Sequence, residues 1–129
     1  MKKLILSLAM LTATIAFAQK KEIANAVKAV DSGDLTTANS ELSKAEGMFG
    51  EKTYLLEPSV LEQYYYAKGL SLIKSGKSTE GAEYLAKINT LGSEDIYSGK
   101  DADKNKVYFV GKESADKFGN GISLKQEKY

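Results

Sequence analysis

The 129-residue chain has no cysteine, no histidine, no tryptophan and no arginine, and only one proline. Without cysteine there is no disulfide and no lipidated cysteine at an export site, so packing alone must hold the fold. The joint absence of histidine and cysteine removes the commonest general base, the thiolate nucleophile and nearly all zinc sites. Every one of the 18 basic residues is lysine, and arginine is the side chain suited to bidentate phosphate or guanine contacts. The formal net charge is +1, too little to gather polyanions at a distance, so nucleic acid is not an expected ligand.

The start of the chain has the pattern of an export signal. Met1-Lys2-Lys3 is cationic, Leu4 to Phe17 is an almost unbroken apolar run, and Ala16-Phe17-Ala18 places small residues where a signal peptidase needs them. The 14 residues of that run fall short of the roughly 20 that cross a bilayer as a helix. Residues 1–18 are therefore expected to be removed, leaving Gln19 first in a periplasmic or extracellular protein. Loss of Lys2 and Lys3 moves the net charge to −1. No later stretch has that apolar length, so no stable membrane insertion is expected of the mature chain.

Helical periodicity dominates the next part. Ile23, Val27 and Val30 recur at helical spacing among alanines. Asp31-Ser32-Gly33-Asp34 then breaks the pattern: Gly33 can end one helix in the left-handed region, and Asp34 can cap the next. That second helix runs from about Leu35 to Met48, with Leu35, Ala38, Leu42 and Ala45 on one face. In the connection Gly50 to Glu57, Tyr54-Leu55-Leu56 is apolar enough to pack. A third helix starts at Pro58, tolerated in a first turn, or one residue on, where Ser59 and Glu62 have capping-box spacing. On a helical wheel, Leu61, Leu72, Tyr65, Gly69, Ile73, Tyr66 and Leu70 cover about half its circumference, the pattern of an inner helix with neighbours on two sides. Ser75-Gly76-Lys77-Ser78 repeats the turn chemistry. A fourth helix, from Lys77 or Ser78 to about Leu91-Gly92, would bury Ala82, Leu85 and Ile88.

Aligning Gly33 with Gly76 exposes an internal repeat: Ala26 falls over Gly69, Ala38 over Gly81, Leu42 over Leu85 and Ala45 over Ile88. This pattern resembles the tetratricopeptide repeat family, a helix pair with a small residue inside the first helix, glycine at the turn and a small residue early in the second. The resemblance covers about Lys20 to Leu91. The turn glycines are 43 residues apart where the family has about 34, so extra residues around Phe49 to Ser59 separate the units. Lys68 occupies a place that is usually large and apolar, and the closing proline is missing from both units.

The resemblance implies an all-α fold of two antiparallel helical hairpins, about 20–48 and 58–91, within a repeat domain at 19–92. It also implies a concave groove for protein or peptide, which maps onto Gln63, Tyr66, Leu70, Ile73 and Lys74. From Ser93 onward the chain reads as a less regular polar tail, 93–129. Ser98 to Lys106 is a loop, 107–110 and 122–124 have the composition of short strands, room enough for a β-hairpin, and Lys112 to Phe118 suits a helical turn. The apolar run Val107 to Val110 is the expected internal occupant of the groove side at Tyr66, Leu70 and Ile73.

Few residues suggest chemistry. Asp101-Ala102-Asp103-Lys104-Asn105 opens like a calcium loop, but Lys106 stands where the loop needs glycine and Lys112 where it needs glutamate, so a solvated loop is expected. Glu94 and Asp95 are adjacent, and on a helix would point apart. Tyr64-Tyr65-Tyr66 invites ligand stacking, although core packing is the better reading of the triplet, with Tyr65 facing the partner helix and Tyr64 filling the back. The expectation is an exported, non-catalytic, cofactor-free binding module for protein or peptide. The alternative is an envelope-assembly component whose helical units stack on further copies, because two repeats are few for a stable array.

Overall fold

The computed structural model describes residues 19–129; the expected signal segment, 1–18, lies outside them. The chain is mostly helical, with a small three-stranded antiparallel sheet at its C-terminal end. The first helix, α1, covers residues 19–32. It is followed by α2 (Leu35–Phe49), a 3-10 turn (Thr53–Leu55), α3 (Pro58–Lys74) and α4 (Ser78–Ser93). Strands β1 (Asp95–Lys100) and β2 (Lys106–Val110), helix α5 (Lys112–Phe118) and strand β3 (Lys125–Lys128) complete it. No described helix is long and apolar enough to cross a membrane.

Both helical hairpins close with the same turn. Gly33 and Gly76 take φ of +84° and +90°, a region open to glycine at little cost. In the first turn the Asp34 N–H donates to Ala29 O at 2.8 Å and the Gly33 N–H to Val30 O at 3.1 Å. In the second, Lys77 donates to Leu72 and Gly76 to Ile73 at the same two distances. These paired bonds satisfy carbonyls orphaned at a helix end. Asp34 also caps α2, its carboxylate accepting from Thr37 N at 3.1 Å and Thr37 Oγ1 at 2.6 Å. Lys77, its counterpart in the second turn, makes no side-chain cap. Pro58 occupies the first turn of α3.

Small residues set how closely the helices approach. A β-carbon on Gly81 would stand 2.5 Å from the Gly69 carbonyl oxygen, and one on Gly69 would meet Gly81 O at 2.9 Å and the Leu85 side chain at 2.8 Å. In the first hairpin Ala26, Ala38 and Ala45 are completely enclosed. They join Ile23, Val30, Leu42, Phe49, Leu61 and Tyr64 in the main core. Burial of a residue such as Leu42 contributes about 1.5–3 kcal/mol, and these contacts unite α1, α2 and α3.

The residues that lengthen the spacing between the turns have a packing role. Leu56 is buried in the helical core, whereas Tyr54 and Leu55 turn the other way and join a second cluster around Val107, Phe109 and Ala115. Tyr54 lies 5.1 Å from Phe109 and 5.6 Å from Phe118, ring centre to ring centre. The connector between hairpins is therefore the floor on which the C-terminal sheet rests.

That sheet departs from the expected loop-and-hairpin tail. Its order is β2-β1-β3, with Ile96 opposite Val110 and Tyr97 opposite Phe109 in one ladder, and Asp95 opposite Lys128 in the other. Asp95 to Lys100, expected to be irregular or loop, is its central strand. The expected strand at 107–110 is present as β2, but 122–124 is not a strand, and β3 begins at Lys125. Ile122 and Leu124 instead pack into the second cluster, and Gly99 admits the close approach of Ser123 O to β1. Strands β1 and β2 are covered on both faces: Ile96, Tyr108 and Val110 meet the helical core, while Tyr97, Val107 and Phe109 meet the second cluster. Alternation along β2 follows from the strand period of two.

Two further expectations need correction. Ala82 is exposed, and α4 fully buries only Gly81 and Leu91, because α4 is the outermost helix of its hairpin and touches α3 along one narrow side. Val107 to Val110 does not fill the groove side at Tyr66, Leu70 and Ile73. The sheet meets α3 at another angle, where Tyr108 and Val110 share a cleft with Leu61 and Tyr65.

Candidate functional site

None of the five residues expected to line a groove belongs to the cleft described below. Tyr66 and Lys74 both turn to the C-terminal end of α1. The Tyr66 hydroxyl donates to Asp31 Oδ1 at 2.7 Å, and Lys74 Nζ donates to Val30 O at 3.0 Å. The Asp31 acceptor pushes the Tyr66 phenol upward from its ordinary range, and Lys74 satisfies a terminal carbonyl of α1. Leu70 packs on the main core, Ile73 closes against Gly81, and Gln63 is partly covered. Tyr66 and Lys74 thus tie the second hairpin to the first.

The tyrosine triplet divides its labour. Tyr64, not Tyr65, is the deeply buried member, 5% exposed, with its ring edge-on to Phe49 at 5.2 Å. Its hydroxyl donates to Glu46 Oε2 at 2.6 Å, and Lys68 Nζ lies 3.0 Å from the same oxygen. Burial and the carboxylate hold the Tyr64 phenol far above its usual range. This trio explains lysine at position 68: it neutralises Glu46 across the α2–α3 interface. Beside it, the Ser71 hydroxyl donates to Asn39 Oδ1 at 2.7 Å.

Tyr65 turns to the opposite side, toward α4 and the sheet. There a cleft of about 280 Å³ opens where four elements and the connector converge. One wall is Leu61 and Tyr65 from α3, and another is Lys87, Thr90 and Leu91 from α4. Tyr108 and Val110 of β2 form the third wall, Ser114 and Phe118 of α5 stand at the rim, and Glu51, Thr53 and Tyr54 complete the base. Phe118 is 49% exposed, which leaves a large apolar ring available at the mouth.

The cleft sets one cation beside aromatic faces. Lys87 Nζ lies 5.0 Å from the Tyr84 ring centre and 5.6 Å from that of Tyr65, within the reach of cation–π attraction. No carboxylate stands within ion-pair distance of Lys87 among the described residues. Burial raises the Tyr65 and Tyr108 phenols above their ordinary range, with nearby Tyr84 adding to the first and Glu57 and Glu127 to the second. At neutral pH both stay protonated and can donate. The cleft thus offers aromatic faces, neutral hydroxyl donors, one cation and the Glu51 carboxylate.

Two carboxylates that the sequence singled out have hydrogen bonds of their own. Asp101 Oδ1 accepts from Asp103 N at 3.0 Å and Asn105 N at 2.8 Å, holding the turn that joins β1 to β2. Asp95 lies in β1, where its carboxylate accepts from Gln126 Nε2 at 2.7 Å. Among the described residues no three acidic side chains converge as a metal site would require.

The sequence pointed to α3 as the central element, and the cleft lies on a different side of it from Gln63, Tyr66, Leu70, Ile73 and Lys74. Lys87, Tyr108 and Phe118 carried no motif, since only the approach of the sheet to α3 and α4 makes them neighbours. The one available signal was the wheel of α3, whose apolar arc extends past Tyr65. No protein-family profile, no curated protein and no solved structure matches this chain.

Proposed function

We propose that this chain is an exported, non-catalytic module that binds a protein or peptide, built on two helical hairpins of tetratricopeptide type. The repeated turn at Gly33 and Gly76 and the close Gly69–Gly81 crossing support the architecture. The observation that carries the function is the cleft beside Tyr65. Its volume of about 280 Å³ lies at the lower edge of pockets that enclose a whole small ligand, about 300–1,000 Å³, and suits one or two side chains of a larger partner. Aromatic walls give contact area with little loss of rotamer freedom. Lys87 supplies a charge for a carboxylate or carbonyl at the edge of the bound segment, so the segment fitting best presents an apolar or aromatic side chain beside an acceptor. No bond is made or broken.

The test is binding by purified components. A partner recovered from the cell envelope with the mature chain is titrated against wild type, Tyr65→Ala and Lys87→Ala. Either substitution should weaken binding by about tenfold or more, roughly 1.4 kcal/mol, with helicity unchanged. Full affinity in both variants would remove the cleft as the site, and Tyr66→Ala combined with Lys74→Ala would then test the α1-facing side of α3.

A second reading, assembly by stacking, is favoured by α4. Ala82, Ala86 and Asn89 are exposed on its outer side, where the next unit of an array would pack. Sedimentation showing a stable monomer at high concentration would end that reading.

A further inference from the structure

Gln19 stands at the head of the core-facing stripe of α1, one turn before Ile23 and two before Ala26, both fully buried. Its own side chain is enclosed with it, at 2% exposure, yet Nε2 has no hydrogen-bond partner. An enclosed primary amide with no acceptor is a standing cost. Export as proposed above, with cleavage after Ala18, would add a second cost. The new α-ammonium would lie at the positive end of the α1 dipole, on a residue that the fold encloses.

One reaction removes both, and it needs only the residue itself. We propose that the mature chain begins with pyroglutamate formed from Gln19. The α-amine nitrogen attacks the side-chain Cδ, the bond from nitrogen to Cδ forms, and the Cδ–Nε2 bond breaks. One α-amine proton passes to Nε2, which departs as ammonia. No oxidant, reductant or second substrate is consumed. The product is a neutral five-membered lactam: the ammonium is gone, and so is the orphan amide nitrogen.

What remains fits the site better. The lactam keeps one N–H, and Glu22, on the next turn of α1, has an enclosed Oε2 without a partner. That acceptor alone does not decide the matter, because a free α-ammonium would use it too. The partnerless Nε2 adds to it, since cyclisation removes that nitrogen altogether. The ring would form on the newly exported chain, before folding encloses position 19.

The inference rests on the export reading, and one measurement separates their failures. The protein is isolated from its own cell envelope and its intact mass and N-terminus are determined. The expected result is a chain starting at position 19, lighter by one ammonia than the sequence 19–129, and closed to stepwise degradation until pyroglutamyl aminopeptidase treatment. A chain starting at Gln19 with a free amine overturns the pyroglutamate and leaves export standing. A chain that retains residues 1–18 overturns both. As a second readout, Gln19→Asn cannot close an equivalent ring without severe strain, so it keeps a reactive α-amine and should melt below the native protein. An equal Tm would overturn the claim that the enclosed site favours the lactam.

Discussion

Gly69 and Gly81 cross with so little space between them that each occupies the volume a side chain of the other would need: a Gly81 β-carbon would lie 2.5 Å from Gly69 O. Backbone cannot swing aside as a side-chain tip can. Gly81→Ala must therefore push α3 and α4 apart. Overpacking costs about 1–3 kcal/mol, against about 1 kcal/mol gained from helix propensity, so a net loss of stability is expected in denaturant titration. Gly47 lies inside α2 with open space around it. Gly47→Ala should gain about 0.5–1 kcal/mol, and a shared sign for the two variants would sink the steric account.

Asp34 caps α2 as a carboxylate, and its bonds to the Thr37 hydroxyl and N–H hold it below the usual carboxylate range. A depressed folded-state value contributes stability that is present above the unfolded-state value, about 3.9, and is lost as pH falls through the folded-state value. Melting followed from pH 6 downward should show this acid loss in wild type. In Asp34→Asn, which keeps an acceptor without titrating, that component should be missing.

Tyr64, Glu46 and Lys68 form one polar group across the α2–α3 interface. Glu46→Ala would leave the enclosed Tyr64 hydroxyl without its acceptor, at a cost of about 1–3 kcal/mol, read as a lower denaturation midpoint. The raised Tyr64 value adds an alkaline signature. Above about pH 10 the unfolded chain loses a proton that the folded chain keeps, so stability falls as pH rises. Tyr64→Phe should be less stable at neutral pH but show a shallower alkaline decline.

Tyr54 is the hinge between the helical part and the sheet, through its contacts with Phe109 and Phe118. It is only half-buried, so Tyr54→Ala should cost about 2 kcal/mol, below the roughly 3–5 expected of a fully buried aromatic. Amide exchange should quicken in β1 to β3 while α1 and α3 stay protected. Uniform loss of protection would mean that sheet and helices unfold as one unit.

Much of the helical part was legible because its signals are local. A Schellman turn needs a glycine and the carbonyls three and four residues before it, all within one stretch of chain, so Gly33 and Gly76 could be recognised without any tertiary knowledge. Asp34, Pro58 and the buried Ala38, Leu42 and Ala45 follow from the same short-range rules of capping and period.

The sheet and the cleft were decided by contacts between distant residues. Lys125 to Lys128, KQEK, has no apolar member and is fully exposed; it is a strand because Asp95 to Ser98 offer hydrogen-bonding groups from 27 to 33 residues away. Asp95 to Lys100 reads as polar irregular chain until β2 and β3 lie on either side of it. Tyr65 and Lys87 come to line one cleft only when Tyr108, Val110 and Phe118 close the third side. Sequence alone determined where helices start, turn and stop, since those hydrogen bonds lie within a few residues. Tertiary structure alone decided which side of α3 is spent on α1 and which stays open, since that depends on where the sheet lands.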